Sequence, residues 1–366
     1  MSSIRMNTAH AVTALCVLAS LTVVGVTPAF AGTDSAAGQA TAAHSRRIPA
    51  DELRAAAKHA VDYWTPQRML SATAVDTPAA SAAVPSRAEQ AAQARGTPGR
   101  ANPVQPNPVA QLASGVPTAP VGVDAPTISA VSNGQTWTSG GLPSTAIGVA
   151  FFTNDAGEPK YCTASALASD AGNAVLTAGH CVINASNGRW YNWNYQTNTW
   201  GDWIFVPGYN YGSAPFGLWY ANQLWTVPQY ISSGGDSRYD IGAAVMNVNY
   251  YGYHLQDVVG SEGIEWNWPL SQYNWVFGYP QDGAPSFDGQ RLIFCHGQTY
   301  SYPFLPFWEV INCNQGHGSS GGPWLDDFDG SWGWADSVIS TGTSSTDIGP
   351  YFGNHAFNLW SNVRYL

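Results

Sequence analysis

Large apolar side chains are spread so unevenly along these 366 residues that only part of the chain can enclose a core: of 16 tryptophans, Trp64 alone precedes Trp137. From Pro66 to Pro126, ten prolines stand in a background of Ala, Ser, Gln and Gly. Such a stretch has too little apolar surface to offset the entropy of ordering it, so roughly 70–125 is expected as an extended, mostly disordered linker. Before it, "ADELRAAAKHAVDYW" (50–64) reads as one helix over about 51–64, with Asp51 as N-cap and Pro66 beyond its end. The core must come from about 126–366, a length that one all-β unit commonly fills.

The first 31 residues carry Arg5, an apolar stretch from Ala11 to Val26 and then Ala29-Phe30-Ala31, the pattern of a secretory signal cleaved before Gly32. The apolar stretch is short for a membrane anchor and no second run of membrane length follows, so an exported, soluble protein is expected. Residues 32–125 then read as a propeptide. Of five cysteines, Cys16 leaves with the signal, and Cys162, Cys181, Cys295 and Cys313 remain for an oxidising compartment. Pairing Cys162 with Cys181 and Cys295 with Cys313 closes two short loops and is favoured, although four cysteines allow three pairings. Neither pair has C-x-x-C spacing, so no zinc, no other metal and no cofactor is expected. From residue 126 on, five Lys and Arg face 17 Asp and Glu, a net charge of −12. A surface this acidic repels phosphate backbones and anionic lipid, so neither nucleic acid nor membrane is an expected partner.

Within the body, "AIGVAFFT" (146–153), "NAVLTAG" (173–179), "DWIFVPG" (202–208), "NWVFGYP" (274–280) and "ADSVIST" (335–341) recur between clusters of Gly, Pro, Asn and Asp. No long stretch repeats apolar residues at helical spacing, so a β-barrel or sandwich is predicted.

Three further stretches carry chemistry. "GHGSSGGPW" (316–324) places Gly318, Ser319, Ser320, Gly321 and Gly322 in a row, which marks either a flexible link or a backbone that something must approach closely. "TAGHC" (177–181) sets His180 beside Cys181, and "DIGAAV" (240–245) puts Asp240 at the head of an apolar strand. These motifs, in this order, resemble the trypsin-like, chymotrypsin-fold serine peptidases; "FVPGYNYGSAPFG" (205–217) and "FGYP" (277–280) are similar to the bacterial secreted branch that includes glutamyl endopeptidases. The resemblance covers most of 145–345. It implies an all-β fold of two six-stranded antiparallel barrels, a catalytic set of His180, Asp240 and Ser320, and an oxyanion hole from the N–H groups of Gly318 and Ser320. Serine is a poor nucleophile at neutral pH and needs a base within reach, a base whose other ring nitrogen is held by an acid. The expected partners are protein or peptide substrates, and a monomer suffices. Asn314, Gln315, Ile339, Ser340 and Gly342 are expected to form the substrate pocket. Asn314 stands where the trypsin branch has an aspartate, and Ile339 where the glutamyl branch has a histidine, so neither basic nor acidic side chains should be selected.

Other readings of the same residues exist. "GSSGG" also fits the nucleophile elbow of α/β-hydrolases, with His355 following Ser320, but Gly321, Gly322 and Pro323 are poor helix formers and little chain remains for a parallel sheet. "RWYNWNYQTNTWGDW" (189–203) could offer an aromatic platform to sugar rings or a polymer, as a carbohydrate-binding module with a degenerate site would. "LDDFDGSW" (325–332) gathers Asp326, Asp327 and Asp329 but lacks the spaced ligands of a calcium loop and reads as a solvated turn. His317 is expected at the rim of the site.

Overall fold

The computed structural model describes residues 42–75, 96–118, 122, 130–283, 286–302 and 305–366. The expected signal, 1–31, lies outside the described residues.

Six antiparallel strands close the first barrel. In spatial order they are Trp219–Thr226, Ile204–Pro207, Ile147–Thr153, Pro159–Leu167, Ala174–Thr177 and Gly242–Met246, the last pairing again with the first. Ile147–Thr153, Ala174–Thr177, Ile204–Pro207 and Gly242–Met246 are buried along their whole length. Strands covered on both faces need no polar alternation, which is why they appear in the sequence as continuous apolar runs.

The second barrel divides its wall between two sheets. One has seven strands, in the order Gly99–Ala101, Gly263–Trp266, Trp334–Val338, Pro323–Asp326, Tyr273–Gly278, Ile293–Gln298 and Val131–Thr136; the other joins Tyr300–Tyr302, Leu305–Ile311, Asp347–Pro350 and Thr341–Gly342. Only Gly263–Trp266 with Trp334–Val338 pairs in parallel here. Val276, Ile311, Trp324 and Ile339 pack around the Cys295–Cys313 disulfide in its interior. The C-terminal helix Asn354–Val363 returns to the first half, where the Trp360 indole donates to Ala168 O at 2.8 Å. This is the expected double barrel, with both expected disulfides.

The segment ahead of the body departs from expectation. Its helix runs over Leu53–Tyr63, inside the predicted span, and Glu52 rather than Asp51 stands at the N-cap without a side-chain bond. Thr65 then caps a second helix, Pro66–Ser71, its hydroxyl accepting from Arg68 N, and Pro66 at the first helical position has no N–H to leave unpaired. Within the predicted extended linker, Thr73–Ala74 pairs in parallel with Lys160 and Tyr161, Gly99–Ala101 pairs with Gly263–Trp266, and Pro108–Ser114 is a helix capped by Asn107. A composition too poor for its own core still orders where the body supplies the apolar partner. Trp64 shows the principle: it is buried against Phe151 of the first barrel, ring centres 5.4 Å apart, and its indole donates to Asp202 O at 2.8 Å.

Candidate active site

His180 sits in a single 3-10 turn, Gly179–Cys181, at the end of the Ala174–Thr177 strand. The Cys162–Cys181 disulfide ties that turn to the neighbouring strand. Asp240 ends a second 3-10 turn, Ser237–Tyr239, and points back at the histidine: Oδ2 lies 2.7 Å from His180 Nδ1, and Oδ1 accepts from His180 N at 2.8 Å. Ser340 Oγ completes the shell by donating to Asp240 Oδ2 at 2.6 Å. A fully buried carboxylate costs several kcal/mol unless hydrogen bonds compensate it, and Asp240 has three. Asp236, the neighbouring acid, is spent elsewhere, capping the Ser237–Tyr239 turn and pairing with Arg238.

The glycine run makes the opposite wall, and its small residues are required by close approaches. Gly318 has φ +94°, and a Cβ there would lie 2.4 Å from Tyr161 Oη; Gly321 has φ +82°, and a Cβ would lie 2.1 Å from Thr177 Oγ1. Thr163 of the first barrel pins this loop from across the cleft. Its N–H donates to Ser320 O at 2.8 Å and its hydroxyl to Gly318 O at 2.9 Å. The N–H groups of Ser319, Gly321 and Gly322 are used in binding Gly316, Ile339 and Ser319 carbonyls, a set that does not include those of Gly318 and Ser320. Ser320 Oγ and His180 Nε2 are both buried without a hydrogen-bond partner.

Two cavities flank these atoms. One, of about 350 Å³, is lined by Ser320 together with Asn314, Gln315, Ile339 and Gly342, the expected pocket residues. Ser340, expected among them, does not line it: its hydroxyl turns to Asp240 instead. The Asn314 carboxamide oxygen accepts from Gly134 N at 2.7 Å, while Gln315 Oε1 is a buried acceptor with no partner. Asp282, Thr341, Thr343 and Ser344 also line this cavity and were missed in the sequence; no motif surrounds them. His317 lies at the mouth, as expected, with Nδ1 2.7 Å from the exposed Asp282 carboxylate. The second cavity, about 320 Å³, is lined by His180, Tyr191 and Tyr230, and also by Val75 from the segment ahead of the body.

Competing readings place less well. His355 is buried in the C-terminal helix against Tyr239, and burial pushes its pKa down to about 4. It belongs to no parallel sheet, as the elbow reading requires. Trp200 is covered by Ile48 and Ala56, with Arg46 5.7 Å over its ring, so the aromatic stretch serves as a seat for the upstream segment. In the acidic hairpin, Asp329 Oδ1 accepts from Ser331 N and Trp332 N, closing a turn.

No family model matches the sequence. Among curated proteins, the extracellular metalloprotease of Bacillus subtilis (strain 168) is 26% identical over 203 residues, 53% of this chain; the chain spans 55% of that relative, about half its length. Among the described residues the one group of His, Cys, Asp or Glu with donor atoms close enough to share a metal is Cys162, His180 and Cys181, and both sulfurs are spent in the disulfide. Protease Anisep from Arthrobacter nicotinovorans superposes with a TM-score of 0.55 at 34% identity, over 64% of this chain and 100% of that one. The thermostable serine protease AL20 from an extremophilic microorganism gives 0.54 at 32% identity, over 61% and 98%. No helix among the described residues is long and apolar enough to cross a membrane.

Proposed function

The chain belongs to the bacterial chymotrypsin-fold serine proteases, and from that premise we propose that it is made as a preproprotein and acts, once exported, as a serine endopeptidase through Ser320, His180 and Asp240. Ser320 Oγ attacks the substrate carbonyl while His180 Nε2 takes its proton and later passes it to the leaving amine. Asp240 holds the ring in the tautomer that leaves Nε2 free to accept, and its charge stabilises the imidazolium. The N–H groups of Gly318 and Ser320 receive the oxyanion, a contact worth on the order of 3 kcal/mol per donor. Water then releases the acyl group by the same steps. The observation that carries this reading is the 2.7 Å contact of His180 Nδ1 with the buried Asp240, set across the cleft from a serine whose hydroxyl has no other partner.

A fluorophosphonate should label the secreted protein at Ser320 alone. Ser320→Ala and His180→Ala should each remove nearly all hydrolysis while leaving the fold intact, and Asp240→Asn should be severe. Asp236→Asn should leave activity in place; loss there would show that the wrong acid has been chosen. For specificity, Ile339 and Gly342 give the pocket an apolar, open wall, and Gln315 Oε1 offers an acceptor to an amide donor. Asp282 is more than half exposed and too well solvated to offset the burial of a cation. Cleavage after uncharged residues, apolar or amide-bearing, is the expected outcome in a peptide library; a preference above about tenfold for Glu, Arg or Lys would overturn it.

A further inference from the structure

Arg100, in the segment ahead of the body, occupies a receptor built almost wholly by the second barrel. Its guanidinium lies 4.5 Å from the ring centre of Trp268 and 4.4 Å from that of Trp334. Nη2 is 3.4 Å from Glu265 Oε2, and Nη1 donates to Asp327 Oδ2 at 3.1 Å. The backbone is held as well: Gly99–Ala101 adds an antiparallel strand to Gly263–Trp266, with Arg100 directly opposite Glu265. Without that strand Gly263–Trp266 would be the open edge of the sheet. The fit is close, since a Cβ at Gly263 would lie 2.7 Å from Ala101 O, and one at Gly99 2.7 Å from the Trp266 ring.

The charges make this more than a packing contact. Glu265 is fully buried; its Oε1 accepts from Gln272 Nε2 at 2.9 Å, and its Oε2 has no hydrogen-bond partner, leaving Arg100 as the cation beside it. Burial, with Asp326 and Asp327 nearby, pushes the Glu265 pKa up to about 7 although Arg100 opposes the rise. A site that puts two indole faces and two carboxylates around one planar cation suits a guanidinium and not the compact, strongly hydrated ammonium of lysine.

We propose that the peptidase body carries an arginine-binding exosite, formed by Glu265, Trp268, Asp327 and Trp334 at the edge of Gly263–Trp266, which Arg100 fills in cis and which takes an extended, arginine-bearing peptide in trans once that segment leaves. The recognition mode is addition of a strand to a sheet edge, with the guanidinium pocket supplying selectivity. Its opening rests on the propeptide reading; the pocket itself does not.

The test vacates the pocket in the full chain with Ser320→Ala also present, so that no hydrolysis intervenes. Arg100→Ala should bind N-ethylguanidinium in calorimetry at least about tenfold more tightly than ethylammonium, while the chain with Arg100 intact binds neither, and adding Glu265→Gln should abolish the binding. Arg100→Met, which keeps the apolar stem and so the strand, should reject both probes because its side chain fills the space between the indoles. Equal binding of the two probes, or equal binding with Arg100 present, would overturn the proposal, as would an Arg100→Ala chain that folds and binds nothing. If Arg100→Ala does not fold, Arg100→Gly with N-propylguanidinium present during refolding replaces it, and failure of the guanidinium to restore folding counts against the site. Sequencing the mature N-terminus separately tests whether the segment leaves, so a retained segment refutes the propeptide reading while the pocket result stands by itself.

Discussion

Ser340 shows how a residue one position from a pocket lining can turn its side chain to a buried carboxylate instead. Its bond to Asp240 Oδ2 is one of three that hold the carboxylate, and a hydrogen bond to a charged group is worth about 1.5–3 kcal/mol. Ser340→Ala should therefore lower kcat by about tenfold or more with KM nearly unchanged, and shift the acid limb of the kcat–pH profile. A rise in KM with kcat preserved would return Ser340 to the pocket. Glu262 makes a prediction about pH. It is fully buried, with Oε2 accepting from Gly333 N at 3.0 Å, and burial raises its pKa from 4.5 to about 8. Between those values the folded state holds a proton that the unfolded state has lost, so stability falls as pH rises through that window. His355, lowered to about 4, works in the other direction: the unfolded state takes up a proton below pH 6.5 that the folded state refuses, so its effect ends above that pH. The interval from pH 6.5 to 8 thus isolates the buried acids, at roughly 2 kcal/mol for one carboxyl. The thermal midpoint should drop across that interval, and the drop should shrink in Glu262→Gln. A midpoint that stays level or rises would refute the assignment.

At the level of elements, Thr73–Ala74 brings the upstream segment to the proposed site. It pairs with Lys160 and Tyr161, Val75 N donates to Tyr161 O at 3.1 Å, and Ala74 N donates to Gln281 Oε1 at 2.7 Å. Val75 thereby reaches the cavity that His180 lines. Val75→Pro removes the N–H that binds Tyr161 O and with it the ladder bond, so the full-length chain should hydrolyse a short chromogenic peptide several-fold faster before any cleavage is visible on a gel. An unchanged initial rate would show that this strand does not obstruct the cleft. The same element shows where the sequence stopped being legible. The motifs of the candidate site could be read because their residues are local: His180 stands beside its disulfide cysteine and Ser320 among the glycines that its loop requires. Asp282 and Thr341 come to the pocket by tertiary packing, from segments no motif marks. Composition misread 96–118 for a related reason. It averages apolar content over a window, whereas Gly99–Ala101 needs only three residues because the body provides the strand, the indoles and the carboxylates they dock on.

Across the whole molecule, the segment ahead of the body is fastened to both barrels: Trp64 and the Leu53–Tyr63 helix to the first, Arg100 to the second, and Gln111 of the Pro108–Ser114 helix to Val258 O in the connection between them. His59 adds a hydrogen bond from its ring to the buried Asp202 carboxylate, which Thr153 and Asn194 also bind. Trp64→Ala would leave a large cavity against Phe151, at about 3–5 kcal/mol, and should make 42–75 far more sensitive to limited proteolysis than the body; equal sensitivity of the two would refute this anchoring. Fastening at two places has a further consequence for timing. While the chain is continuous, its own length keeps the segment at an effective concentration near the millimolar range. A single cut after residue 118 removes that advantage without removing one contact, and mass action then decides occupancy. On the proposed function, cut protein at high concentration would stay dormant and wake as it diffuses apart, so specific activity per molecule should climb on dilution.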